Sequence, residues 1–262
     1  MHVSDVRRDL IAEQNALDYV VSSIDSAVFA RPTASPGWAV ADQIAHLAYF
    51  DNAAAVAIAN PDAFPAMVSD LLEAAARGDS ADEFTLGRYR AMQPTDLLDA
   101  WRSDRAALAD ASAGLADDDR VDWYGPSMGS KSFLTARLME CWAHGQDIAA
   151  AAGATIAPTD RLAHIARLGF ITRGWTYVNR QLEIPAGDVR VELLAPSGDH
   201  WTFGPEDAED TVTGTALDFC LVVTQRTHVD NTALVATPGA RDWLLIAQAF
   251  AGPPTIGPSA QS

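Results

Sequence analysis

The placement of proline constrains this chain most. All six prolines of the first 155 residues fall between stretches of helical periodicity and none within one. A proline inside a helix would remove a backbone donor and clash with the preceding turn, so each stretch between them can run as a helix. Residues 3–30 carry Val6, Leu10, Leu17, Val20, Val21 and Ile24 at helical intervals, the spacing of one buried face. Pro32, Pro36 and Gly37 break that run. Residues 39–60 follow, with Val40, Ile44, Leu47 and Ala48 as a stripe, closed by Pro61 and Pro65. Shorter helices are predicted over 67–76 and 81–92. Pro94 opens the next, for which Thr95 reads as the N-cap with Asp96 in the positive first turn; it presents Leu97, Leu98, Trp101 and Leu108.

Residues 116–130 (ADDDRVDWYGPSMGS) have the chemistry of a long loop. A helix over 132–152 comes next, stopped by Gly153, and Thr159 can cap another that reaches residue 181. After Pro185 the texture changes. VRVELL at 189–194 alternates, 201–203 is rich in β-formers, and 211–213 could pair with either, with Pro196-Ser197-Gly198 as the turn between the first two. Helices return over 215–227 and 241–251, and the Gly/Pro-rich tail from Gly252 reads as loose. The expected fold class is mainly α: a four-helix bundle over residues 1–155 followed by a smaller α+β domain over 156–262.

Composition excludes several classes of function. Thirty-five acidic residues against 18 Lys and Arg leave a formal charge of −17, which repels phosphate backbones and anionic lipid. Neither nucleic acid nor a membrane is expected as a partner. No run of about 18 apolar residues offers a transmembrane helix, and the opening MHVSDVRRDLIAEQNALDYV scatters charge where a signal peptide needs an apolar core. Cys141 and Cys220 lie far apart without CxxC spacing. They read as buried thiols in a reducing cytoplasm, not as a disulfide or a cysteine metal site.

Glu140 and His144 stand four residues apart in the helical stretch RLMECWAHGQDIAAAAG. That spacing puts both side chains on one face, within reach of a single ion. His46, on another helix beside Ile44 and Leu47, could supply a third ligand across a bundle. Two imidazoles and one carboxylate leave a coordination position open for water or substrate, the pattern of a working site. A Glu four residues before a His also arises by chance, so spacing alone does not decide.

The surrounding motifs add to it. Ser35-Pro36-Gly37-Trp38-Ala39-Val40-Ala41-Asp42-Gln43-Ile44-Ala45-His46-Leu47 resembles the "PGW…HL" signature of the DinB-like superfamily, in particular the mycothiol-dependent maleylpyruvate isomerase N-terminal domain of actinobacteria. Arg137 to Ile148 (RLMECWAHGQDI) is similar to that family's "R…E…HG.D" helix. The resemblance covers residues 1–155 and puts the family's metal ligands on His46, Glu140 and His144. It departs at Ala39, where the family has Thr or Ser, so a hydroxyl cap is missing from the second helix. It also implies that the α+β domain closes over the metal pocket. Zinc is the first expectation for these ligands, with nickel, iron and cobalt open.

Around that set, Asp147 could accept the free ring N–H of a ligating histidine or form a salt bridge or cap. Arg137 sits one turn before Glu140, and Asp42 four residues before His46. Trp123 and Tyr124 could wall a pocket or staple the loop to the bundle. Arg226 could clamp a carboxylate or complement a helix end. His164, His200 and His228 have no partner pattern. The resemblance implies a metal-dependent enzyme that activates a low-molecular-weight thiol, mycothiol, for transfer to a small electrophile or for its cis–trans isomerisation. The alternatives are a metal-assisted hydrolase and a non-catalytic protein binding a metal or small ligand. Either a monomer or a homodimer would serve.

Overall fold

A computed structural model describes residues 1–260, so the last two residues of the domain expected over 156–262 lie outside the described residues. The chain forms two compact units, Met1–Ile156 and Ala157–Ser262. Among the described residues no helix is long and apolar enough to cross a membrane.

The first unit contains α1 (Val3–Ser23), α2 (Val40–Ala59), α3 (Phe64–Arg77), α4 (Ala81–Arg90), α5 (Pro94–Ala111) and α6 (Ser130–Ala152). The helix expected over 3–30 stops early because Asp25 starts a separate 3-10 turn, its Oδ1 accepting from Ala27 N at 2.8 Å. Thr95 is not the cap of α5. Pro94 itself begins that helix and Gln93 holds the cap position, since proline lacks the N–H that a first turn leaves unpaired. The loop expected over 116–130 contains a small antiparallel pair, β1 (Arg120–Val121) and β2 (Met128–Gly129), which leads straight into α6.

The helix α2 is the central element of this unit. It buries Val40, Ile44, Leu47 and Ala48, as its stripe predicts, and also Gln43, Ala45, Tyr49, Asp51, Ala53 and Ala54. Burial on so many sides follows from packing against α4, α5 and α6, and the alanines of its second half let neighbouring helices come close. Leu97, Leu98 and Trp101 of α5, Leu86 and Tyr89 of α4, Leu17 and Val21 of α1 and Ile148 of α6 complete the core. Each large side chain so buried contributes about 1.5–3 kcal/mol.

The second unit contains α7 (Leu162–Ile171), α8 (Arg173–Asn179), β3 (Val189–Leu194), β4 (His200–Phe203), β5 (Asp210–Thr215), α9 (Ala216–Val223), β6 (Val235–Ala236) and α10 (Pro238–Leu244). The helix predicted to reach residue 181 is divided at Thr172, whose Oγ1 donates back to Leu168 O at 2.8 Å, a bond that competes with the helical ladder. Arg161, not Thr159, precedes its first turn. The helix expected over 215–227 ends sooner, before Thr224. The one expected over 241–251 begins at Pro238 and stops at Leu244. The sheet order is β4-β3-β5-β6, with β3 antiparallel to β4 across Pro196-Ser197-Gly198 and parallel to β5. Val189, Val191 and Leu193 alternate into the core of this unit with Phe219, Cys220 and Val223 of α9. Gly169 of α7 lets α9 approach: a Cβ there would lie 2.7 Å from Val223 Cγ2. The tail expected to be loose is tied down at several points, among them Arg180 Nη2 donating to Thr255 O at 2.6 Å and Asn179 Nδ2 donating to Gly252 O at 3.0 Å.

Candidate metal centre

The segment between Arg31 and α2 doubles back on itself, with Thr33 N donating to Trp38 O at 2.9 Å and Val40 N to Arg31 O at 3.0 Å. This carries Trp38 beside the first turns of α2. The hydroxyl cap is missing, and Asp42 supplies the reciprocal bond of the first turn, its Oδ2 accepting from Ala39 N at 2.8 Å. Its other oxygen takes Arg90 Nε of α4 at 2.7 Å. Asp42 thus anchors the start of the helix that bears His46.

His46 on α2 meets Glu140 and His144, one turn apart on α6. Glu140 Oε2 lies 3.3 Å from His46 Nε2 and 3.1 Å from His144 Nε2, and the candidate ligand atoms all fall within 4.8 Å of one another. The three side chains keep 17%, 20% and 10% of their surface, enough for access from one side. Burial opposes ionisation of Glu140, but hydrogen bonds from His144 and His46 and the charges of His144 and Arg137 outweigh it and hold the carboxyl well below its ordinary range.

This donor set fits a divalent cation. Two Nε2 atoms and a carboxylate oxygen turn toward one point, where a cation would replace the hydrogen bonds to Glu140. The surroundings are shaped for it as well. Trp38 stacks on His144 at 5.8 Å between ring centroids and lies 5.2 Å from His46, and its Nε1 is tethered to Asp82 Oδ2 at 2.7 Å. Phe50 lies 4.6 Å from His46.

The remaining residues singled out by sequence take these places. Asp147 Oδ2 is 4.0 Å from His144 Nδ1, and Ser35 Oγ approaches it at 3.5 Å. Arg137, 6% exposed, lies over the rings of Phe50 at 5.5 Å and Trp123 at 5.6 Å, with its Nη1 buried and lacking a hydrogen bond. Trp123 stacks on Phe64 at 5.6 Å. Tyr124 packs against Phe50 at 5.9 Å, its hydroxyl 3.0 Å from that of Tyr49. Burial and the Tyr49 hydroxyl push the Tyr124 phenol far up. Arg226 belongs to the second unit, where its Nη1 donates to Thr224 O at 2.7 Å.

One participant is missed by the sequence reading. Gln43 presents its Oε1 to His144 Nδ1 in a short contact and is fully buried. Gln43 stands between Asp42 and Ile44, three residues before His46, and its spacing does not single it out; once buried, its amide must find partners. Elsewhere on α2, Asp51 is 3% exposed and accepts from Gln14 Nε2 at 3.0 Å. Burial pushes its carboxyl from 3.8 up to about 6, against the pull of Arg137.

Because the native state holds the Asp51 proton more tightly than the unfolded chain, this group's contribution is intact below the unfolded value and is lost as pH rises through about 6. The loss amounts to about 3 kcal/mol. Denaturant unfolding of wild type and Asp51→Asn at pH 4 and pH 7.5 should show the wild type losing most of that relative to the variant. Parallel pH profiles would contradict it.

Residues 10–149 match the family model of the mycothiol maleylpyruvate isomerase N-terminal domain, and residues 185–237 match a model described as wyosine base formation. Uncharacterized proteins from two strains of Mycobacterium tuberculosis are 41% identical over 256 residues, covering 95% of this chain and 96% of theirs. The crystal structure of the mycothiol-dependent maleylpyruvate isomerase is similar with a TM-score of 0.58 and 21% identity, over 91% of this chain and 94% of that one. A histidine-to-alanine mutant of that isomerase is similar with a TM-score of 0.57 and 19% identity, over the same shares. At those identities the likeness to the solved structures is one of fold.

Proposed function

This chain belongs to the family of the mycothiol maleylpyruvate isomerase N-terminal domain, and from that premise we propose that it is a metal-dependent enzyme acting with a low-molecular-weight thiol. Mycothiol is the thiol, and the reaction is its transfer to, or the cis–trans isomerisation of, a small electrophile. The observation that carries this reading is the convergence of His46 Nε2, His144 Nε2 and Glu140 Oε2 on one point. Those three residues would hold the ion, and zinc suits two imidazoles, a carboxylate and an open position. When bound, such an ion supplies Lewis acidity that favours thiolate over thiol at neutral pH.

The chain's own residues do the rest. Trp38 and Phe50 flank the imidazoles with aromatic surface, limiting water beside the nucleophile. Trp123 and Tyr124 extend that wall away from His46 through Phe50 and are assigned to the substrate pocket. Arg137 and Asp147 support the ligands, Arg137 through its charge near Glu140. Arg226 is assigned the clamping of a substrate or thiol carboxylate. A reducing compartment, the cytoplasm, fits two free and buried cysteines.

The test is incubation of zinc-loaded protein with mycothiol and a cis-configured electrophile, following free thiol with a chromogenic reagent and the substrate by chromatography. Thiol consumption marks transfer, and a geometric isomer at constant thiol marks isomerisation; both should disappear in His46→Ala. Hydrolysed substrate without added thiol would transfer the site to the hydrolases. Zinc bound, with every substrate unchanged, would leave a binding protein.

A further inference from the structure

We propose that Gln43 is a positioning residue that keeps a ring proton of His144 on Nδ1, so that Nε2, the nitrogen facing Glu140, is the one that would give its electron pair to an ion. Gln43 is fully buried in the first turn of α2, and each atom of its amide has a partner. Its Nε2 donates to Thr33 Oγ1 at 2.8 Å and to Ser35 Oγ at 3.0 Å, which places Oε1 against His144 Nδ1. A carbonyl oxygen can only accept, so Nδ1 must carry the proton.

The orientation of the amide decides this, and the two hydroxyls decide the orientation. Thr33 directs its own proton to Trp38 O at 3.0 Å, and Ser35 directs its proton toward Asp147 Oδ2 at 3.5 Å. With those protons committed, both hydroxyl oxygens face Gln43 as acceptors and call for its NH2. Turning the amide over would need both hydroxyls to rotate inward, and the Ser35 lone pairs would then face the Asp147 carboxylate, which is 7% exposed. Asp147 Oδ2 itself stands 4.0 Å from Nδ1, beyond hydrogen-bonding reach. An amide oxygen therefore fills the place that a carboxylate takes in many metal-bound histidine pairs, and it does so without adding charge.

This inference rests on the metal reading for its purpose, but its readout does not need the metal. Long-range proton–nitrogen NMR on histidine-labelled protein reports which ring nitrogen of His144 bears a proton. The expected result is a protonated Nδ1, in metal-free protein and with zinc on Nε2 in loaded protein. Gln43→Leu should lose that preference and bind zinc about 10- to 100-fold more weakly in chelator competition, while Gln43→Glu, which keeps an acceptor oxygen at the same reach, should recover most of the affinity. A wild-type His144 without a proton on Nδ1, or a Gln43→Leu protein that binds zinc within twofold of wild type, overturns the proposal. Should Gln43→Leu fail to fold by circular dichroism, the wild-type spectrum and Gln43→Glu decide. If wild type binds no zinc, the metal reading falls and the metal-free spectrum still settles the role of Gln43.

Discussion

His144→Ala is expected to cost zinc binding about 3 kcal/mol or more, the scale of stripping a partner from a buried charge, so that the dissociation constant rises by two to four orders of magnitude. The same holds for His46→Ala. Either change leaves Glu140 with one imidazole where it has two, at 3.3 and 3.1 Å, and leaves the ion two protein donors. Ligand binding raises the unfolding temperature by an amount that grows with the logarithm of ligand concentration over dissociation constant. Zinc should therefore stabilise wild type and leave both variants unmoved. The measurement is chelator competition alongside a thermal scan with and without metal. If either alanine variant keeps zinc within threefold of wild type, these side chains are not the ligands.

Trp101→Ala should have the largest effect on the fold. Trp101 is completely buried on α5, where it belongs to the same core as Leu47, Ile44 and Leu97, and the Arg105 guanidinium lies 4.9 Å from its ring centroid. Truncating a buried tryptophan costs about 3–5 kcal/mol, a large share of the roughly 5–15 kcal/mol that holds a domain together. Urea unfolding should show that loss with a slope close to wild type. Trp175→Ala in the second unit, where the side chain is 43% exposed, should shift stability by no more than about 0.5 kcal/mol. A Trp101→Ala protein within 1 kcal/mol of wild type would mean that the interface between α2 and α5 relaxes to fill the cavity.

Much of the first unit is legible in the sequence because its prolines bound the helices and its apolar residues keep helical spacing. The bounds of α2 and α6 come within two residues of what Pro61 and Gly153 imply. His46, Glu140 and His144 emerge as a set from one i, i+4 pair and two family motifs, and the fold brings their donor atoms within 4.8 Å. What escapes depends on contacts between distant residues. Gln43 carries no spacing signal of its own, since its partners Thr33, Ser35 and His144 come from a loop and another helix. The break at Thr172 depends on a side chain bonding to its own helix, which the apolar pattern of residues 159–181 does not reveal. In the sheet, alternation identifies VRVELL as a strand, but the parallel pairing of β3 with β5 is set by packing beyond it.

The double duty of Asp42 reaches further than the end of a helix. One oxygen holds the backbone of Ala39 and the other holds Arg90, an arginine with 41% of its side chain in water. Losing either bond would let the first turn of α2 fray, and Gln43, the residue after Asp42, sits in that turn. A charge on α4 thereby helps to order the amide that faces His144 Nδ1. A substitution at position 90 would reach the centre through that turn, without altering any residue that lines it.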